Sequence, residues 1–319
     1  MLRWFFVSLS KAGWAQRLIT HWSFAWRAAS RFVAGETAEE GLKAVRDLNA
    51  RGIQATLDHL GESTTSREEA RNAADEVVFL LEKIERHHVR ANVSLKLSQI
   101  GLVIDPALCR ELLFIILAKA REQNNFIRID MEDSSLTAST LALYHAAREQ
   151  GFDNVGVVLQ AYLYRTGADL ERILSGHGRV RLCKGAYKEP ASVAFPRKAD
   201  VNENFDRLAR SLIQGALEAS SPALSEDGRF PPIPALATHD PARIRAARQY
   251  AEEVGLPQNA MEFQMLYGIR RDLQDQLAAS GYPVRVYVPY GTHWYPYFMR
   301  RLGERPENIW FFIAHFFRP

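Results

Sequence analysis

Cysteine is nearly absent: 319 residues hold only Cys109 and Cys183, too few for a disulfide framework and at a spacing that fits no metal motif. That scarcity excludes the disulfide-stapled secreted class and suits a reducing compartment, with both thiols expected as buried packing. No apolar run reaches the roughly 18–20 residues that a membrane-spanning helix needs. The net charge of +3 is too small to mark nucleic acid as a partner. Internal repeats and low-complexity tracts are lacking as well. Acidic residues are missing from residues 1–35, where Arg3, Lys11, Arg17, Arg27 and Arg31 occur with Trp4, Trp14, Trp22 and Trp26. Basic and polar residues break up the apolar stretch there, and no clear cleavage site follows, which argues against a secretory signal. Two readings of this arm stand side by side. It lies on an anionic membrane surface as a basic, aromatic amphipathic helix, or it packs on the body of the protein with its tryptophans buried. The run Trp310-Phe311-Phe312-Ile313, followed by Phe316-Phe317, offers a docking helix or a second lipid contact.

What is there is ample apolar material, 47% of residues against 24% charged, in a length suited to eight strand–helix units. Short apolar runs at 53–58, 91–97, 126–131, 155–160, 179–184, 233–238, 260–265 and 284–289 read as strands. Segments such as 67–88, 106–123, 135–150, 202–219, 241–254 and 268–280 have helical length and period. The expected class is α/β: a TIM-type (βα)8 barrel over 36–319, distorted from the regular form, with residues 1–35 as an N-terminal helical arm. Ser220–Pro232, rich in Ser, Pro and Gly, reads as a surface excursion before the sixth strand.

The strands alternate in polarity. Ser94, Lys96 and Ser98 interleave with Val93, Leu95 and Leu97, and Arg128, Asp130 and Glu132 with Ile127, Ile129 and Met131. Gln54, Thr56 and Asp58 do the same in the first strand, and Arg285 and Tyr287 in the eighth. Parallel strands buried on both faces normally read as continuous apolar runs. One polar strand face therefore predicts a large, charged ligand in the barrel mouth. Active sites of such barrels form at the C-terminal strand ends. The polar residues near those ends are Glu62, Lys96, Asp130, Gln160, Arg181, Lys184, Thr238, His239, Gln264 and Tyr287. A last helix brings Tyr297, Arg300, Arg301 and Glu304 near one face. Paired arginines suit a carboxylate or phosphate, or else form a solvated face in which Arg300 pairs with Glu304. Bland readings stand beside the others too: Lys96 paired with Asp130 or Glu132, Tyr187 and Tyr287 as barrel-wall aromatics, and His239 at a helix start that Asp240 caps ahead of Pro241.

Eight stretches in order resemble the proline dehydrogenase family over about residues 35–310. They are Ser94-Leu-Lys-Leu-Ser98, Ile129-Asp-Met-Glu-Asp133, Val158-Leu-Gln-Ala-Tyr162, Arg181-Leu-Cys-Lys-Gly-Ala-Tyr187, Ala237-Thr-His239, Glu262-Phe-Gln264, Arg285-Val-Tyr287 and Arg300-Arg-Leu302. The resemblance implies a monofunctional, FAD-dependent enzyme that oxidises L-proline to 1-pyrroline-5-carboxylate and passes electrons to a membrane quinone. It implies that Arg300, Arg301 and Lys96 clamp the proline carboxylate, with Glu62 pairing Arg300 as a lid. Arg181 would sit by the flavin N5, and Asp130, the active-site acid, would position Lys96 or Arg301. Tyr187, Tyr287, Leu182 and Tyr297 would wall the proline ring. Met131, Gln160, Lys184, Gly185, Ala186, Thr238, His239 and Gln264 would line FAD, with Gly185 letting the backbone approach a phosphate or ring.

Three departures touch the details. Lys188 stands where an aromatic would stack on adenine, the 220–232 excursion bears on the adenine end, and the spacing from His293 to Arg300 is short. With neither an aldehyde dehydrogenase domain nor a DNA-binding arm in the chain, a separate pyrroline-5-carboxylate dehydrogenase is expected to act downstream. The expected location is cytoplasmic, with peripheral contact at the inner face of the cell membrane. The rival enzyme class is a Schiff-base aldolase on the same barrel, using Lys96 or Lys184. A rival without chemistry is a membrane-surface binding module.

Overall fold

The computed structural model describes residues 23–61, 64–220 and 223–304. Eight parallel strands close into a barrel in sequence order: β1 (Gln54–His59), β2 (Ala91–Leu95), β3 (Ile127–Ile129), β4 (Val155–Gln160), β5 (Arg179–Cys183), β6 (Pro234–Ala237), β7 (Glu262–Leu266) and β8 (Val284–Tyr290). Closure runs through β1 and β8, where Gln54 lies opposite Arg285, Thr56 opposite Tyr287 and Asp58 opposite Pro289. The helices are α1 (Ser23–Ala29), α2 (Ala38–Asn49), α3 (Arg67–Arg86), α4 (Pro106–Glu122), α5 (Ser134–Glu149), α6 (Thr166–Leu174), α7 (Lys198–Glu218), α8 (Pro241–Glu253), α9 (Arg271–Ala279) and α10 (Trp294–Glu304).

Side-chain caps fix several helix starts. Thr37 and Glu40 exchange side-chain-to-backbone bonds at the head of α2 as a capping box. Asp105 caps α4 ahead of Pro106, and Asp240 caps α8 ahead of Pro241, the latter as the sequence led one to expect. Helix α9 begins at Arg271 rather than 268 because Gly268 (φ +73°) and Arg270 (φ +50°) hold the chain in the left-handed region. Helices α2 and α6 fall outside the segments marked by periodicity. The nine residues of α6 are too few to display it.

Outward strand residues such as Leu57, Val93, Ile127, Val157, Leu182, Phe263 and Val286 form one core with the inner helix faces. Each large apolar side chain buried there contributes roughly 1.5–3 kcal/mol. Two placements distort the regular barrel. Helix α2 packs against β1 and β8, whereas α10, which follows β8, packs with α1, Leu60 and Ile269 in a second cluster at the C-terminal end of the barrel. The Trp26 and Trp294 rings are 5.4 Å apart. Of the expected arm, residues 1–22 lie outside the described residues, and so does the 310–317 aromatic run.

The excursion before β6 is a surface feature only in its first half, where Ser220 and Glu226 are exposed; residues 228–232 turn inward. Its Gly228 carbonyl accepts from Arg285 Nη2 (2.8 Å) and its Arg229 carbonyl from Asn92 Nδ2 (2.9 Å). Arg179 Nε donates to Pro231 O (2.8 Å), and Phe230 meets the Phe126 ring edge-on at 5.8 Å. These partners belong to the N-terminal ends of strands or to the residues just before them. The segment thus closes the floor of the barrel, at the opposite end from the mouth, and bears on no ligand there. Its Ser, Pro and Gly content encodes a tight turn: Ser225 Oγ and Asp227 Oδ1 accept the Phe230 and Arg229 amides around Gly228 (φ +70°).

Among the described residues, no helix is long and apolar enough to cross a membrane.

Candidate active site

Inward strand residues stack in two charged layers. In the lower one Glu262, fully buried, accepts from Arg285 Nε with both oxygens (3.0 Å each). Arg285 spends its other donors on the carbonyls of Ala55 and Gly228 (2.8 Å each). Arg128 bonds the carbonyls of Val157 (3.2 Å) and Arg179 (2.7 Å) beside the Phe126 ring. Burial first, then the nearby Arg181 charge, lowers the proton affinity of the Arg128 guanidinium. That side chain fits the lumen only because β4 carries glycine there: a Cβ on Gly156 would come within 2.5 Å of Arg128 Nη1 and of the Arg179 carbonyl. Gln54, Asn92, Arg128, Glu262 and Arg285 are thus part of the barrel's interior, not of a ligand site. Part of the polar alternation that predicted a ligand encodes this layer instead.

The upper layer opens into a cavity of about 770 Å³ at the C-terminal strand ends. Asp130 accepts from Arg181 Nη1 (2.8 Å), Ser94 Oγ (2.6 Å) and Tyr287 Oη (2.8 Å). Arg181 Nε donates to Gln264 Oε1, and its Nη2 reaches Thr56 Oγ1 at 3.5 Å. The Arg181 cation also lies 5.3 Å from the Tyr287 ring centroid. Burial, and then the Asp130 and Asp58 carboxylates, push the Tyr287 phenol well above its ordinary range and keep it a donor. Lys96 pairs with the buried Asp58 at 3.4 Å. The register of β2, β3, β5 and β8 aims Arg181, Ser94 and Tyr287 at the two oxygens of Asp130, the residue expected to position Lys96 or Arg301.

Around this centre the cavity wall brings together Met131, Gln160, Lys184, Gly185, Ala186, Tyr187, Thr238, His239, Tyr297, Arg300 and Arg301. Lys184 Nζ donates to Asn202 (2.6 Å) and Asp240 (2.8 Å). Burial alone would raise the Asp240 carboxyl, but the bonds from Lys184 and the Ala242 amide outweigh it and lower it. His239 Nε2 accepts from the Leu266 amide (3.0 Å), tying the mouth ends of β6 and β7 together. Gln160 Nε2 donates to the Glu132 carbonyl (2.7 Å). Gly185 sits at φ +108°, and a Cβ there would lie 2.3 Å from the Tyr162 ring, so the close approach that demands glycine is made by the protein itself. The Arg301 guanidinium lies 5.2 Å from the Tyr297 ring centroid.

Leu182 does not reach the cavity. Successive strand residues point to opposite faces, so with Arg181 inward Leu182 packs outward in the core, fully buried. Glu62 lies outside the described residues. Cys109 is buried as expected, but Cys183 lines the cavity. The same alternation, two residues on from Arg181, was the signal for it. Asp58 and Ser94, read in the sequence only as members of polar strand faces, hold Lys96 and Asp130. The aldolase alternative is weakened, because Lys96 and Lys184 each pair with a carboxylate, and an ammonium held in this way is a poor nucleophile.

The profile of the family described as Proline dehydrogenase matches residues 41–311. Proline dehydrogenase 2 of Bacillus subtilis (strain 168) is 39% identical over 308 residues, which span 96% of this chain and 96% of that protein. Proline dehydrogenase of Deinococcus radiodurans is 41% identical over 294 residues, 90% of this chain and 89% of its own. Among solved structures, proline utilization A (PutA) from Bdellovibrio bacteriovorus, inactivated by N-propargylglycine, matches with a TM-score of 0.77 at 24% identity. That match covers 87% of this chain and 32% of the other, and it is a likeness of fold.

Proposed function

The chain belongs to the proline dehydrogenase family, and from that premise we propose that it oxidises L-proline to 1-pyrroline-5-carboxylate with FAD, passing the electrons to a membrane quinone. The observation that carries the reading is the convergence of Lys96, Arg181, Arg300 and Arg301 on one cavity. A buried carboxylate is costly unless paired, and this mouth offers paired cations to an amino acid.

The residues present fit a flavin dinucleotide. Proline alone would fill a small part of about 770 Å³. The remaining wall supplies a fixed guanidinium, an ammonium, a threonine hydroxyl and two amides. Met131, Gln160, Lys184, Gly185, Ala186, Thr238, His239 and Gln264 would hold the cofactor. When bound, FAD supplies the acceptor for the hydride that leaves the amine-bearing ring carbon of proline, and releases the electrons later. Arg300 and Arg301 would bind the carboxylate in forked, charge-assisted bonds, with Lys96 as a point charge beside them. Tyr187, Tyr287 and Tyr297 wall the ring and exclude water. Arg181, oriented by Asp130 and Gln264, would supply a fixed cation to the charge that develops on hydride transfer. As the ring C–H bond breaks and C=N forms, the nitrogen gives up a proton. Asp130 already accepts three hydrogen bonds, and we assign that proton to water.

Residues 1–35, basic and aromatic, support a position for the enzyme at the inner face of the cell membrane, within reach of the quinone. A separate dehydrogenase then consumes the pyrroline-5-carboxylate. The test is the visible spectrum before and after anaerobic addition of L-proline. Bands near roughly 380 and 450 nm that bleach with proline are expected for a loaded flavoprotein. Bands that proline leaves unmoved would overturn the substrate. A folded protein that stays colourless in excess FAD would overturn the cofactor, and inactivation by borohydride would then mark the aldolase.

A further inference from the structure

We propose that Glu262, in the lower layer, is a positioning residue for Arg181, acting through the amide of Gln264. The inference rests on the reading above, in which Arg181 faces the hydride acceptor.

The three side chains form one line of hydrogen bonds. Glu262 accepts the Arg285 Nε–H with both oxygens on one side, and its Oε1 accepts from Gln264 Nε2 on the other. Gln264 Oε1, facing the other way, accepts from Arg181 Nε. All are nearly or fully inaccessible: Glu262 is 0% exposed, Arg285 1%, Gln264 5% and Arg181 6%. Solvent is therefore a poor substitute for a missing partner, and the polarity of each link matters.

A glutamine amide is nearly symmetric in shape and can present either its carbonyl or its NH2 to Arg181. Arg181 Nε–H is only a donor, so it tolerates only the carbonyl. Both Glu262 oxygens accept from Arg285 Nε–H, so toward Gln264 it acts as an acceptor and demands the NH2 from the far end of the same amide. Glu262 thereby selects the one amide orientation that satisfies Arg181. Asp130 and Ser94 hold the Nη1 end of the guanidinium, at 2.8 and 3.3 Å. The Gln264 bond holds the Nε end, and together they set the plane in which the cation faces the cavity.

Glu262→Gln should invert the line. Arg285 is only a donor, so the introduced amide turns its oxygen to Arg285 and its NH2 to Gln264. Gln264 then flips to accept, and its own NH2 meets Arg181 Nε–H, donor against donor. Arg181 must tilt off its seat. Lys96, Arg300 and Arg301 are untouched. The signature is thus a loss of rate without a loss of substrate affinity.

The experiment compares wild type and Glu262→Gln, both loaded with FAD, by anaerobic stopped-flow bleaching with L-proline, by the flavin reduction potential and by thermal melting. We expect bleaching slowed roughly ten- to a hundred-fold, as displacements of about 1 Å in a site can cost. The proline KM should stay within about twofold and the potential should fall. If E262Q does not fold, Glu262→Leu/Arg285→Leu removes both charges together and avoids an orphaned cation. It also leaves the Gln264 amide unselected, and its bleaching should again be slowed at unchanged KM. A folded variant that bleaches at the wild-type rate with an unshifted potential would overturn the proposal, as would a lower melting temperature as the sole change. A wild type that proline does not bleach would instead sink the functional reading on which it rests.

Discussion

The two layers inside the barrel are built from the same parts and do opposite things. Arg285–Glu262 below and Arg181–Asp130 above are both arginine–carboxylate pairs on inward strand positions. Below, the chain supplies partners to both ends of the pair, from the Glu262 fork to the carbonyls of Ala55 and Gly228. Above, the carboxylate is satisfied three times over, but its arginine and tyrosine also form the wall of a large cavity. A charge pair closed by the protein on all sides is architecture. The same pair with one side left to a ligand is a site.

The comparison breaks most forcefully below. Arg285→Met leaves the Glu262 carboxylate buried without its fork, and loss of one partner of such a pair costs about 3–5 kcal/mol. Chemical denaturation should show that drop. Arg181→Met should do the reverse. Proline-dependent flavin bleaching falls about 10²–10³-fold, the scale of a lost electrostatic contact in a site, while the denaturation midpoint changes far less than in Arg285→Met. Arg300→Met or Arg301→Met should raise the proline KM by roughly tenfold to a hundredfold, from about 1.5–3 kcal/mol per charged hydrogen bond, with flavin content kept. Flavin loss would move those arginines from substrate to cofactor. Gly156→Ala crowds the Arg128 guanidinium and should cost about 1–3 kcal/mol of stability, with the bleaching rate per loaded protein unchanged.

The smallest effect concerns pH. Tyr287 and Tyr290 are raised by burial, and Tyr295 is pushed up to about 12. A phenol raised on folding stabilises fully below its unfolded value, about 10, and that contribution is lost as pH climbs through the folded value. Above about pH 10 the unfolded chain releases protons that the folded one keeps, so stability falls with rising pH. Melting curves should be level in this respect up to that point. Tyr287→Phe should decline less steeply beyond it.

How much of this could be read beforehand depends on which physical rule was needed. The eight strands, and the helix starts at Pro106 and Pro241, are local and periodic, and they stand where the pattern put them. Alternation also picked the inward faces correctly. It could not say which rung lies at the mouth, because that depends on the stagger between strands and on what closes each end. Hence Arg128 and Arg285 look in the sequence like Arg181, and the second half of the Ser220–Pro232 excursion looks like surface when it is floor. Leu182 is a different case: the resemblance put it beside the ring, but a period of two cannot turn both it and Arg181 inward. Asp58 went without a role because its pairing with Lys96 crosses between β1 and β2, a register set by closure of the whole barrel.

The floor has a consequence for traffic. With Gly228–Phe230 drawn across the lower strand ends, the cavity formed by the described residues is a blind chamber, open at the mouth and roofed in part by α10. Whatever comes in must go out the way it came. On the proposed reading, proline and the molecule that later collects its electrons would share that doorway or take turns at it.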